Sequence, residues 1–168
     1  AVLSYNIRYN SSGDGLDLWD LRKAELIDQI KQLNPISFGV QEATLTQMQD
    51  LEAGLTAYNY VEAGRDDGDT KGEFSAIFFK KDELRVLQED TFWLSDTPEK
   101  VSVGWDAALP RICTYALFEH KSSKNRFWHF NTHFDHMGVK AREESAKLIV
   151  SKIKSLVSSE EAIILSGD

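Results

Sequence analysis

The sequence has 168 residues, 42% of them hydrophobic and 27% charged, and a net charge of −8. This suits one soluble globular domain with a real core, and no apolar run approaches the ~18 residues of a membrane span. Twenty-seven acidic against nineteen basic residues argue against a general nucleic-acid binder, although a basic cleft can sit on an acidic protein.

In chain order, "AVLSYNIRYN" reads as a strand of β-formers with Asn6 and Arg8 near its end, followed by the Gly/Ser/Asp loop "SSGDGLDLWD". Leu26, Ile27, Ile30 and Leu33 recur at helical spacing, predicting a helix from Leu21 to Leu33 with Asp20 as N-cap and Asn34-Pro35 as its end. "ISFGVQE" is a short buried strand ending in two polar residues. Leu45, Met48 and Leu51 predict a second helix, and core packing explains their stripe. "GRDDGDTKGE" is a turn-rich connection, and "FSAIFFKKDEL" and "VLQEDTFWLS" are strands. "ICTYALFEH" and "RFWHFNTHF" form a hairpin through "KSSKN". Val139 to Val157 is helical, and "AIILSGD" is an apolar buried strand with a polar end. There is no internal repeat, low-complexity tract or linker, so the fold class is α/β with more strands than helices.

Three of the four histidines, His129, His133 and His136, lie within eight residues. A shared metal fails on geometry. His129 and His133 lie on one face of a strand but about 13 Å apart, too far for one ion bound at ~2 Å. A helical reading would suit zinc, but "FWHFNTHF" has the composition of a strand. His133, placed with Asn131 near the C-terminal end of an apolar strand, is the better site candidate, because α/β proteins assemble their sites at strand ends. His129 and His120 fit a structural role, and His136 fits either.

Four apolar runs switch to polar residues at their ends: Asn6 with Arg8, Gln41 with Glu42, Asn131 with His133, and Asp168. Together they form a convergent polar site. A buried carboxylate such as Glu42 is costly unless it is paired or bound to a cation, and a hard oxygen ligand of this kind suits magnesium.

These residues carry a family resemblance. "SYNIRY", "VQE", "GEFSAIFFKKD", "NTHFDH" and "LSGD", in that order, resemble the endonuclease/exonuclease/phosphatase superfamily with its deoxyribonuclease-I-like fold. Trp19 with Arg22, "GRDDG" and "GWDAALPRICTY" look like its bacterial branch, which is similar to the nocturnin-type deadenylases and near sphingomyelinases and inositol-phosphate phosphatases. The resemblance implies a four-layer, two-sheet α/β sandwich, of which residues 1–168 form a single domain amounting to the first half to two-thirds. It implies a magnesium-dependent phosphoesterase, with manganese as a possible substitute, that hydrolyses a phosphodiester or phosphomonoester. Glu42 would be the metal ligand. Asn6, His133 and Asp168 would be catalytic, with Asn6 at the metal or scissile phosphate, His133 donating to a phosphate oxygen, and Asp168 orienting or activating water. Arg111, Asn131 and His136 are assigned to the substrate side. A catalytically inactive phosphate-binding module on the same fold is the rival reading.

The family motif Gly-Asp-x-Asn stops here at Gly167-Asp168, and the family's later Asp and Asp-His pair are not present. Residues 1–168 alone are therefore expected to expose a large apolar face and to be inactive without the rest of the fold. The favoured partner is a small phosphodiester, phosphorylated sugar or lipid headgroup ahead of long nucleic acid, and a monomer is expected. Cys113, the single cysteine, permits no internal disulfide and leaves the compartment open, cytoplasmic or exported after loss of a leader.

Arg111 balances between a phosphate contact and a structural ion pair. Arg142 fits a solvated helix face. "GRDDGDTKGE" fails the spacing of a calcium loop because Gly68 stands where the second ligand should fall after Asp66. Trp105 and Asp106 are placed on the substrate side or as loop anchors, and Cys113 as a buried inert thiol.

Overall fold

The computed structural model describes residues 1–158 and 160–168. Two four-stranded sheets pack face to face. The first runs β1 (Val2–Asn6), β2 (Ser37–Gln41), β4 (Ile77–Lys80), β3 (Tyr58–Val61), and the second β5 (Leu84–Trp93), β6 (Ile112–His120), β7 (Arg126–Thr132), β8 (Ala162–Gly167). Helices α1 (Trp19–Leu33) and α2 (Leu45–Gly54) cover the outer face of the first sheet. Leu26, Ile30, Met48 and Leu51 pack there on Phe38, Val40 and Phe78. Helix α3 (Val139–Leu156) covers the second sheet, with Ile149 on Phe92, Tyr115, Trp128 and Phe130. Val61, Ile77, Phe79, Leu84, Ala116 and Phe118 fill part of the space between the sheets. The result is the expected α/β/β/α order of layers. Among the described residues, no helix is long and apolar enough to cross a membrane.

Most expected elements form, with four corrections. Asp20 does not cap α1. The helix starts two residues earlier, after the turn Gly15–Asp17, with Leu18 at the cap, so that Trp19 enters the core and Asp20 pairs with Lys23. The first strand ends at Asn6, because the chain turns at Arg8. β3 was not anticipated. Its four residues offer too little alternation to stand out, and antiparallel pairing with β4 makes it a strand. β8 is not buried. It is the edge of its sheet, and Ile163 and Leu165 are 45% and 53% exposed. Val2 on β1, the edge of the other sheet, is also exposed, so the expected apolar exposure lies along this open side.

The sheets are joined by polar groups as well as apolar ones. Asn131 is fully buried, and its Nδ2 donates to the carbonyls of Val40 (2.8 Å) and Ala76 (3.0 Å) in the opposite sheet. Its Oδ1 accepts from Gln41 Nε2 (2.6 Å) and Ser166 Oγ (2.9 Å). All four hydrogen-bonding positions of the amide are filled, which is what makes its burial tolerable. Gly39 is required opposite it, since a Cβ there would lie 2.4 Å from the Asn131 amide. His129 continues the seam, bonded to Ser37 Oγ (2.7 Å) and Ser166 Oγ (2.9 Å). Asn131, assigned from sequence to the substrate side, is thus an inter-sheet brace, whereas the structural reading of His129 fits its place.

Burial pulls the His129 imidazole down to about 4. The unfolded chain, with an ordinary histidine near 6.5, then binds more protons than the folded one between pH 4 and 6.5, so stability falls as pH drops through that window. Denaturant melts should show this group contributing about 3 kcal/mol across that range. The stability–pH slope should flatten in His129→Gln; an unchanged slope would contradict the assignment.

Candidate active site

Both parallel strand pairs end at the same edge of the sandwich. β1 runs parallel to β2 with Asn6 opposite Gln41, and β7 runs parallel to β8 with Thr132 opposite Gly167. Ser4 Oγ, which accepts from the Gly167 N–H at 3.2 Å, ties the two edge strands together. The polar ends of four strands therefore meet at one place, as their sequences suggested.

Asn6 is at the centre. Its Nδ2 donates to Glu42 Oε1 (2.9 Å) and to Asp168 Oδ2 (2.7 Å), while its Oδ1 accepts from the Arg8 N–H (2.9 Å). One amide therefore bridges two carboxylates from different sheets. The second oxygen of Glu42 accepts from the Tyr9 N–H (3.1 Å). Arg8 and Glu42, just past the ends of β1 and β2, both adopt left-handed backbone, with φ of 56° and 63°. This conformation costs a side-chain-bearing residue roughly 1–2 kcal/mol, and such strain gathers at functional sites.

His133 lies just past β7, between two backbone bonds to Asp168: Asp168 N–H to the Thr132 carbonyl and Phe134 N–H to the Asp168 carbonyl. Arg111 approaches from behind, its Nη1 3.3 Å from His133 Nδ1 and its Nη2 3.1 Å from His136 Nδ1. A guanidinium can only donate, so both Nδ1 atoms are acceptors, and the proton of His133 resides on Nε2. Burial, and then the charge of Arg111, lower the His133 pKa from its usual value, in keeping with a neutral ring. Arg111 is also held by buried Asp135 (3.2 Å). Burial alone would raise Asp135, but the N–H groups of Gly138, Ala108 and Met137 and the Arg111 guanidinium hold it well below the usual carboxylate range. The ion-pair reading of Arg111 fits its buried place beside Asp135, and Arg111 also lines a small space with Arg65, Glu73, Ser75 and His133.

Arg65 and Glu73 had no assigned role. Arg65 Nη1 donates to Glu73 Oε2 at 2.8 Å, and Glu73 lies 3.9 Å from His133 Nδ1, too far for a hydrogen bond. Burial raises the Glu73 pKa, Arg65 opposes this, and the charge of Glu42 adds to it. Their sequence signal was slight: an Arg and a Glu at the two ends of a turn. The bridges of Phe74 to Ala43 and to Gly64 carry that turn to the site. The same turn is closed by Asp67, which accepts from the Asp69 and Lys71 N–H groups. Asp106 caps α3 through the Ala141 (2.6 Å) and Lys140 (3.2 Å) N–H groups, which fits the loop-anchor reading. Arg142 is likewise engaged, donating to the Asp135 carbonyl. His120 bonds Ser122 at the surface, and Cys113 is buried with its thiol pushed up by desolvation.

Among the described residues no three His, Cys, Asp or Glu side chains converge as a closed metal cage. Glu42 and Asp168 nonetheless offer two carboxylates joined by one amide. Such a hard oxygen set fits an ion that keeps several waters and shares substrate phosphate.

No protein-family model matches the sequence. The chain is similar to a solved endonuclease/exonuclease/phosphatase family protein from Bacteroides thetaiotaomicron, with 42% identity and a TM-score of 0.96 over 99% of this chain and 62% of that one. It is equally similar to the mannosyl-6-phosphatase of Bacteroides thetaiotaomicron VPI-5482, with 42% identity and a TM-score of 0.96 over 99% and 64% of the two chains. An uncharacterized protein, L388, of Acanthamoeba polyphaga mimivirus is 32% identical over 89% of this chain and 58% of its own length. The human nocturnin catalytic domain, at 15% identity and a TM-score of 0.75 over 97% and 60% of the two chains, shares the fold. The chain thus spans about three-fifths of the length of the relatives it matches.

Replacing Arg111 by Gln removes one of the three causes, with burial and the charge of Arg65, that hold the His133 pKa down. The His133 imidazole, followed by NMR through a pH titration, should shift its midpoint upward toward the usual value, and the protein should melt lower because Asp135 loses its partner. An unmoved or lowered midpoint would show that Arg111 does not set the protonation of His133.

Proposed function

We propose, from a chain that carries the endonuclease/exonuclease/phosphatase family fold along its whole length, that the parent protein hydrolyses a phosphate ester with the help of a divalent metal ion. The observation that carries the reading is the Glu42–Asn6–Asp168 bridge beside an Nε2-protonated His133. Glu42 holds magnesium, or manganese in its place; when bound, the ion offsets the negative charge that repels a nucleophile from phosphate and stabilises the leaving oxygen. Asn6 keeps Glu42 and Asp168 in fixed orientation. Asp168 accepts the proton of the attacking water. His133 donates its Nε2–H to a phosphate oxygen as charge develops there. Arg111 holds that tautomer from behind and adds positive charge, and His136 shares the same guanidinium.

The favoured substrate is a phosphomonoester of a sugar. Two observations support it: the kinship with a protein named mannosyl-6-phosphatase runs along the whole chain at 42% identity, and the net charge of −8 disfavours a long polyanion. The test is magnesium-dependent hydrolysis by the full-length parent, offered a hexose 6-phosphate and a dinucleotide diester side by side. The monoester should be cleaved, with Glu42→Gln and His133→Ala each at least about 100-fold slower and still folded. Cleavage of the diester alone would replace the sugar phosphatase with a nuclease-like enzyme, and full activity in both variants would refute the site.

A further inference from the structure

Two left-handed residues facing each other across strand ends need something to hold them, and the hydrogen bonds identify it. The Arg8 carbonyl is gripped from both helices on that face. Arg22 Nη2 of α1 donates to it at 2.7 Å, and Gln47 Nε2 of α2 at 2.8 Å. Arg22 also donates to the Ile7 carbonyl and, through Nε, to the Asp17 carbonyl at 2.8 Å. Its guanidinium rests on the ring of Trp19, 5.0 Å from the centroid, and Trp19 is itself buried. Gln47 is fully buried, and its Oε1 accepts from the Asn10 N–H (3.1 Å) and from the Thr44 N–H (3.0 Å) at the start of α2. A single side chain thereby caps a helix and clasps the turn after β1.

The clasped turn has two outputs, both at the site. The Arg8 N–H is presented to Asn6 Oδ1, which directs Asn6 Nδ2 toward the two carboxylates. The next residue, Tyr9, presents its N–H to Glu42 Oε2. We infer that Arg22 and Gln47 are positioning residues: by clamping the Arg8 carbonyl they fix the two donors, Asn6 Nδ2 and Tyr9 N–H, that orient the Glu42 carboxylate. Neither side chain touches substrate in this account. Their effect passes through the main chain. The inference rests on the proposed role of Glu42 as a metal ligand, and supporting contacts around a ligand of this kind ordinarily matter about as much as the ligand's own geometry.

The experiment uses the full-length protein in two conservative forms. Arg22→Lys keeps the charge but loses the fork, and Gln47→Glu keeps the acceptor but loses the donor to Arg8. Asp50→Asn is the control. It weakens the same α1–α2 contact, where Asp50 accepts from Trp19 Nε1 (2.7 Å) and pairs with Lys23, without touching the Arg8 carbonyl. Manganese affinity is read by electron paramagnetic resonance without substrate, and Tyr9 amide exchange by NMR without metal. Both clamp variants should bind manganese about tenfold more weakly, and their Tyr9 amide should exchange at least about tenfold faster. The control should lose melting temperature while keeping both properties. Affinity within twofold of the parent together with a protected Tyr9 amide would overturn the clamp. If the parent itself binds no manganese, or Glu42→Gln binds it equally well, the metal reading of Glu42 fails, and the Tyr9 exchange rates alone decide whether the clamp exists.

Discussion

The side-chain amide of Asn131 is bonded to the main chain of one sheet while standing on a strand of the other, and the rest of the molecule is organised around that fact. An amide buried between two sheets must fill both donor and both acceptor positions, and it does so only in one register of the sheets. A slip by one residue would point it at an apolar face and leave several polar groups unpaired. The register chosen brings the end of β1–β2 beside the end of β7–β8. Glu42 and Asp168, more than 120 positions apart in the chain, then come within reach of the single amide of Asn6.

Electrostatics at this edge follow from a division of labour. The carboxylates Glu42 and Asp168 share the side-chain amide of Asn6. The guanidiniums of Arg65 and Arg111 lie deeper, each paired with a carboxylate, Glu73 or Asp135. Burial, and then the charge of Arg111, lower the His133 pKa, and the Arg111 contact at Nδ1 leaves the ring proton on Nε2. Strain at Arg8 and Glu42 is the cost of turning both chains sharply at the same place, and helices α1 and α2 offset it by gripping the turn.

Much of this was legible in the sequence, for a physical reason. A buried strand must be apolar until it reaches solvent, so the switch to Asn6, Glu42, His133 and Asp168 marked the site edge. Parallel pairing, which the pattern alone does not specify, put those ends together. Other features depended on tertiary context. Strand alternation placed Asn131 and His133 on one face, but β7 stops at Thr132, so Asn131 is fixed between the sheets while His133 lies past the strand end against Arg111. The depth of Arg65 and Glu73 is set by two isolated bridges around Phe74, which leave no periodic trace. The exposure of β8 follows from its edge position, and its apolar composition alone read as buried.

The central claim is that Glu42 and Asp168, held by Asn6, form one divalent-cation and phosphate site at the strand ends. Its most direct test is an anomalous diffraction map from crystals of the full-length protein soaked in manganese. The account predicts a peak about 2.1 Å from a Glu42 carboxylate oxygen, on the cleft side of Asn6 and lost in Glu42→Gln. A peak elsewhere, or an occupied site that persists in Glu42→Gln, would contradict it.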